Sequence, residues 1–165
     1  MRLMRQLQHL PFTRLAPVTT LALRFALAVP FFRSGLTKWD SFGRLSDSAV
    51  YLFREEFRLH IFGTEIAYPA PSLVAHMSGI AEITLPILLV LGLGTRWAAL
   101  GLLGMTGIIQ LTEPDGWANF HLPWAAMALA LVTWGGGPLS LDALITRFLV
   151  RSSGPRTTLR SDPAR

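Results

Sequence analysis

The feature that most constrains this chain is the run over residues 72–92, SLVAHMSGIAEITLPILLVLG, largely apolar with one carboxylate, Glu82, at its centre. About 21 residues of helix rise about 31 Å, enough to cross a bilayer. A charge at that depth costs at least about 2.5 kcal/mol on insertion scales, so Glu82 has to face protein and find a partner there. Its helical face carries Ala75, Ser78, Gly79 and Pro86. Small residues of this kind let a neighbouring helix approach closely. Glu82 is therefore read as the inward-facing centre of a helical membrane protein.

Composition supports that class. The 165 residues suit one domain. An apolar share of 51% with 15% charged residues, and a mean hydropathy of +0.42, lie outside the soluble range. The net charge of +5 raises the question of nucleic acid. The basic residues gather at the two ends, however: Arg2, Arg5 and Arg14 at one, and Arg147, Arg151, Arg156, Arg160 and Arg165 at the other. Basic residues flanking spans mark the cytoplasmic side of a membrane protein, and no nucleic-acid partner is expected. The absence of cysteine excludes disulfides, thiolate metal sites and thiol redox chemistry.

Residues 1–16 form a basic N-terminal segment, residues 17–147 a four-span domain, and residues 148–165 a basic tail expected to be disordered. Ala26-Leu27-Ala28 imitates a signal-peptide cleavage site. Arg24 interrupts the apolar core such a peptide needs, so a retained first span over residues 18–38 is favoured, kinked by Pro30. Between this span and Glu82, Val50, Phe53, Phe57 and Ile61 make a stripe at helical spacing opposite Arg54, Glu55, Glu56 and Arg58. This predicts a short amphipathic helix, capped by Ser46 or Asp47, lying on the outer interface. The third span covers residues 97–112 with a glycine ridge at Gly101, Gly104 and Gly107, and the fourth covers residues 119–134. Ser140 caps a final interfacial helix over residues 141–150. The charge pattern puts both termini in the cytoplasm and the first and third loops outside. Arg44, Arg54 and Arg58 in the first loop run against it, offset by Asp40, Asp47, Glu55, Glu56 and Glu65.

The fold expected is thus all-α: an integral membrane four-helix bundle with a short amphipathic helix in the first outer loop. A pocket open to the outer face would gather Lys38, His76, Gln110 and His121, with Glu82 and Arg24 as a buried pair at its floor. Each has an ordinary explanation as well. A Glu–Arg pair can merely fix helix register, a histidine near a span end can serve as an interfacial hydrogen-bonding group, and Trp39, Trp117 and Trp124 suit interface anchors. His76, His121 and Glu82 lack the spacing of a metal site, and no metal is assigned.

The chain resembles the DoxX family of small bacterial four-helix membrane proteins. The resemblance is carried by LALRFALAVPFFRSGLTK with Arg24, Gly35 and Lys38, by AEITLPILLVLGLGTRWAALGLL with Glu82, Gly92 and Arg96, and by GGGPLSLDALI with Gly137, Ser140 and Asp142. It extends over residues 18–147 and is strongest for a branch with an LFREEF-like segment in the first loop, often encoded beside enzymes that modify copper-binding peptides. The family includes a membrane subunit of thiosulfate:quinone oxidoreductase and a membrane partner of superoxide dismutase and a sulfurtransferase. The resemblance implies a multi-pass protein of the bacterial inner membrane, in contact with lipid and with a protein partner such as a redox enzyme. It further implies a quinone held among Arg24, Lys38, Glu82, Gln110 and His121, with His76 nearby and Glu82 relaying protons. The chain has no flavin, haem or iron–sulfur motif, so a partner would have to deliver the electrons. Two other readings stay open: a non-catalytic membrane anchor or assembly partner, and a handler of a small solute or of a metal such as copper.

Overall fold

A computed structural model describes residues 15–152, with side chains over 15–150. The chain opens with α1 (Ala16–Thr37), which starts on a proline in its first turn and runs on through Pro30. It then forms β1 (Trp39–Ser41) and β2 (Arg44–Leu45), followed by α2 (Asp47–Tyr51) and a π-helical turn over Leu52–Glu56. A second hairpin pairs β3 (Arg58–Ile61) with β4 (Thr64–Ala67). After it come α3 (Pro71–Leu91), α4 (Thr95–Thr112), and α5 (Leu122–Trp134), which continues a π-helical turn at Trp117–His121. The last element, α6 (Leu141–Ser152), is capped by Ser140, whose Oγ accepts from the Ala143 amide at 3.2 Å. Residues 1–14 of the expected basic segment and the tail beyond residue 152 lie outside the described residues, whereas residues 148–152, expected to open a disordered tail, continue α6.

The protein is mostly helical but not all-α. Residues 39–67 contain two small antiparallel hairpins where one amphipathic helix was expected. That helix stops at Glu56, and Phe57 and Ile61, the last members of its stripe, are extended. The reason is turn chemistry. Phe62 and Gly63 both adopt positive φ, of 50° and 79°, as a two-residue hairpin turn requires, and Gly43 does so at the first hairpin. The stripe points inward rather than onto a membrane surface. Phe53 is buried against Tyr68, with ring centroids 5.7 Å apart, and Phe57 packs edge-on to Phe53 at 5.1 Å. Residues 39–68 therefore form a lid packed on the first half of α3.

Helices α1, α3, α4 and α5 pack as a ring, each against two neighbours. Leu27, Phe31, Leu89, Leu102 and Leu131 fill its middle. Large apolar side chains also cover its outside, among them Phe25, Val29, Ile80, Ile87, Leu100 and Ile108. Such a surface belongs in lipid rather than water. Two helices, α1 and α3, are long and apolar enough to cross a membrane.

α1 and α3 are antiparallel, and one contact sets their stagger. A Cβ at Gly35 would lie 3.0 Å from the backbone and Cβ of Glu82, so any larger residue presses the two helices apart. The Trp39 indole likewise lies over Gly79. In an antiparallel pair each step along one helix is a step back along the other. Arg24, eleven residues before Gly35, consequently faces the end of α3 at Gly92, not Glu82.

Candidate functional site: a cavity on a buried ion pair

Glu82 is 4% exposed and pairs with Lys38, whose Nζ lies 2.6 Å from Oε2. The other carboxylate oxygen accepts from Ser78 Oγ at 3.1 Å, and Lys38 also donates to Ser34 Oγ at 3.0 Å. The geometry follows from helical spacing, since Ser34 and Ser78 each lie one turn before the charged residue they support. An ammonium has three protons, and two are spoken for, leaving one for whatever lies beside it.

Beside it is a cavity of about 490 Å³ lined by both charged residues. Its remaining wall is largely apolar: Phe31 from α1, Met77 and Ala81 from α3, Met105 and Ile109 from α4, and Trp124 from α5. The lid closes it with Phe53, Phe57 and Tyr68, while Glu113, which is exposed, stands at its rim. Thr112 donates to the Ile108 carbonyl at 2.9 Å, so the Tyr68 hydroxyl, 2.6 Å away, donates to Thr112 and ties the lid to the end of α4. Trp124 is half-buried against Phe31 at 5.1 Å, and Trp39 is half-buried over Gly79, so neither is simply an interface anchor.

Arg24 is not the partner of Glu82. It is 1% exposed in the first half of α1, where its guanidinium donates to the carbonyls of Leu89 (2.7 Å), Leu139 (2.8 Å), Gly136 (3.3 Å) and Val90. Leu89 and Val90 end α3, which closes with Gly92 in the left-handed conformation and Leu93 N donating to Leu88 O. The cation therefore caps the negative end of a helix dipole. Asp142 complements it at the start of α4, accepting from Gly94 N at 2.8 Å and from Thr95 N and Oγ1 at 3.0 Å each. Burial opposes ionisation of Asp142, but these bonds from Thr95 and Gly94, with the charge of Arg24, outweigh it and hold the carboxyl below its usual range.

The other expected residues do not reach the cavity. His121, 3% exposed, places Nδ1 2.7 Å from Gln110 Oε1, and the Gln110 amide donates to Pro114 O, so the two brace the loop between α4 and α5. His76 directs Nδ1 at Ser72 O, 2.8 Å away, with its ring edge-on to Trp39. His76, His121 and Glu82 are thus held apart. Among the described residues no cluster of three or more His, Cys, Asp or Glu is placed to hold a metal. The cavity adds Ser34, Tyr68 and Thr112, which sequence reasoning missed. The spacing of Ser34 to Lys38 was the available signal for the first.

A family model described as DoxX matches residues 19–113, more than half of the chain. The chain belongs to the DoxX family. An uncharacterized protein of Haemophilus influenzae is similar at 32% identity over 141 residues, covering 79% of this chain and 85% of the relative. No solved structure matches. As a DoxX-family chain it is a membrane protein in contact with the lipid bilayer. The match includes α1, the lid, α3 and α4, hence Lys38 and Glu82, and ends before His121 and Asp142.

Proposed function

We propose that this DoxX-family protein is the membrane subunit of a redox system that exchanges electrons with quinone, spanning the inner membrane four times with both termini cytoplasmic. The observation that carries this reading is the cavity: about 490 Å³, apolar on most of its wall, with one buried ion pair as its deep polar feature. That volume lies within the usual range of ligand pockets. A buried pair of this kind is weak evidence of stabilisation, so its retention invites a functional explanation.

A bound quinone would supply the electron-accepting ring. Lys38 would hold its head group, using the ammonium proton that neither Glu82 nor Ser34 takes. Glu82 Oε1 and Oε2 are the atoms at which a proton would be held and passed on. Phe31 and Trp124, packed on each other, would form one aromatic wall beside it, while Phe53, Phe57 and Tyr68 exclude water. Electrons would arrive from a protein partner. In this assignment Arg24, Gln110, His121 and His76 support the scaffold instead of touching the head group.

The test is mass spectrometry of small molecules retained through purification in mild detergent. Near-stoichiometric quinone in the wild type, lost in Glu82→Gln and Lys38→Met, is the expected result. Quinone missing from every sample would move the assignment to a non-catalytic anchor. One observation favours that second reading: Phe42 and Phe62, at the two hairpin tips, are wholly exposed. In an anchor, Phe42→Ser with Phe62→Ser abolishes recruitment of a partner, whereas Glu82→Gln leaves it intact.

A further inference from the structure

At the end of the bundle held by Arg24, the start of α4, the end of α5 and α6 enclose an open groove of about 630 Å³. Arg96 and Arg147 stand on its walls with Trp97 and Trp134. Both tryptophans are largely exposed, at 79% and 66%. The floor is the backbone of residues 135–137. Gly135 and Gly137 have φ of +75° and +72°, and a Cβ at Gly136 would strike Thr95, so no side chain can fill the floor.

Charge in the groove is unbalanced. Asp142 reaches it, but both carboxylate oxygens are bound by Gly94 and Thr95, and Arg24 lies close enough to act on its charge. Among the described residues neither Arg96 nor Arg147 forms an ion pair; Arg96 donates only to Thr133 O, at 3.3 Å. The groove therefore keeps two arginines free for an anion.

The surroundings say what carries that anion. α6 lines the groove with Asp142, Ala143, Thr146 and Arg147, and exposes Leu141, Leu144 and Ile145. That is the pattern of a helix lying in a membrane interface. Tryptophans beside arginines favour the same level of a bilayer. Below Trp97, the exposed Leu100 and Ile108 lie on the same face of α4 and offer an apolar track along it. We propose that this groove is a binding site for an anionic phospholipid. Arg96 and Arg147 hold its phosphate, Trp97 and Trp134 flank its glycerol, and its acyl chains follow α4. Basic pockets at helix ends are suited to such head groups. The site stands independently of any quinone in the cavity.

Native mass spectrometry of the full chain in detergent tests this, with titrations of phosphatidylglycerol, phosphatidylcholine and inorganic phosphate. The wild type is expected to prefer phosphatidylglycerol over phosphatidylcholine. Each arginine replaced by glutamine should reduce that preference about fivefold, and Arg96→Gln with Arg147→Gln on the order of twenty-five-fold. Arg96→Lys with Arg147→Lys should retain most of it. Should the double glutamine variant fail to fold, Arg147→Gln alone carries the test, since Arg147 makes no hydrogen bond or ion pair among the described residues. Equal binding of the two lipids by the wild type, or a preference untouched by the glutamine variants, overturns the proposal. Inorganic phosphate displacing phosphatidylglycerol at comparable concentration would assign the groove to a soluble phosphate and overturn the lipid as well.

Discussion

The pairing of Lys38 with Glu82 makes the sharpest prediction, because sequence reasoning chose Arg24 instead. In Lys38→Met the carboxylate keeps only Ser78, and in Glu82→Gln the ammonium loses its counter-charge and keeps only neutral acceptors, Ser34 and the new amide oxygen. The side chains are 13% and 5% exposed, so solvent screens either orphan poorly. Removing one member of a buried pair costs about 3–5 kcal/mol, whereas replacing both is often close to neutral. At roughly 2–4 °C per kcal/mol for a chain of this size, each single variant should lower the unfolding midpoint by roughly 6–20 °C. The double variant should recover most of that loss. The assay is intrinsic tryptophan fluorescence on heating in one detergent, with Arg24→Gln carried through a parallel cycle. Arg24→Gln should couple to Glu82→Gln less strongly than Lys38→Met does, because it reaches the pair only through the packing of α1. Additivity of Lys38→Met with Glu82→Gln, or coupling of Arg24→Gln to Glu82→Gln as strong as that of Lys38→Met, would refute the stagger of α1 on α3.

Three further outcomes are expected. Gly35→Val must push α1 off Glu82, costing about 1–3 kcal/mol in the same thermal assay, and Gly35→Ala less. Tyr68→Phe removes the bond from the lid to Thr112, worth about 1 kcal/mol; hydrogen exchange should rise across residues 39–68 while α4 stays protected. Asp142 ionises more readily folded than unfolded, so its contribution is complete above about pH 4, the unfolded value, and fades as pH falls through that value toward the native one. Asp142→Asn should therefore be less stable than wild type at neutral pH, and the gap should close in acid melts.

The parts of the fold that a local pattern encodes were legible. The apolar runs located α1, α3 and α4 within two residues of where they lie, and Ser46 and Ser140 cap the helices assigned to them. The lid is not legible in that way, because Val50, Phe53, Phe57 and Ile61 satisfy helical spacing while a different backbone brings them to one side. Two Phe-Gly steps, Phe42-Gly43 and Phe62-Gly63, are its turn signals. The partner of Glu82 was harder. Hydropathy sets how long each span is, but not how far one helix slides along another. The slide is recorded only in where glycine permits contact, as Gly35 does against Glu82.

That same slide gives Arg24 its role. It sits about 21 Å along α1 from Lys38, too far to touch a ligand in the cavity. Yet its four carbonyl acceptors belong to the end of α3 and to the loop after α5, so it locks both to α1. With α1 pinned there, Lys38 is brought level with Glu82 at the other end. Arg24 is in this sense a positioning residue for the ion pair. The chain has no native cysteine, so spin labels at Leu36→Cys and Ile87→Cys, both exposed, can report the α1–α3 offset directly. Arg24→Gln should broaden or shift their distance distribution and reduce retention of any cavity ligand together. An unchanged distance accompanied by lost ligand would mean that Arg24 acts on the site by some route other than register.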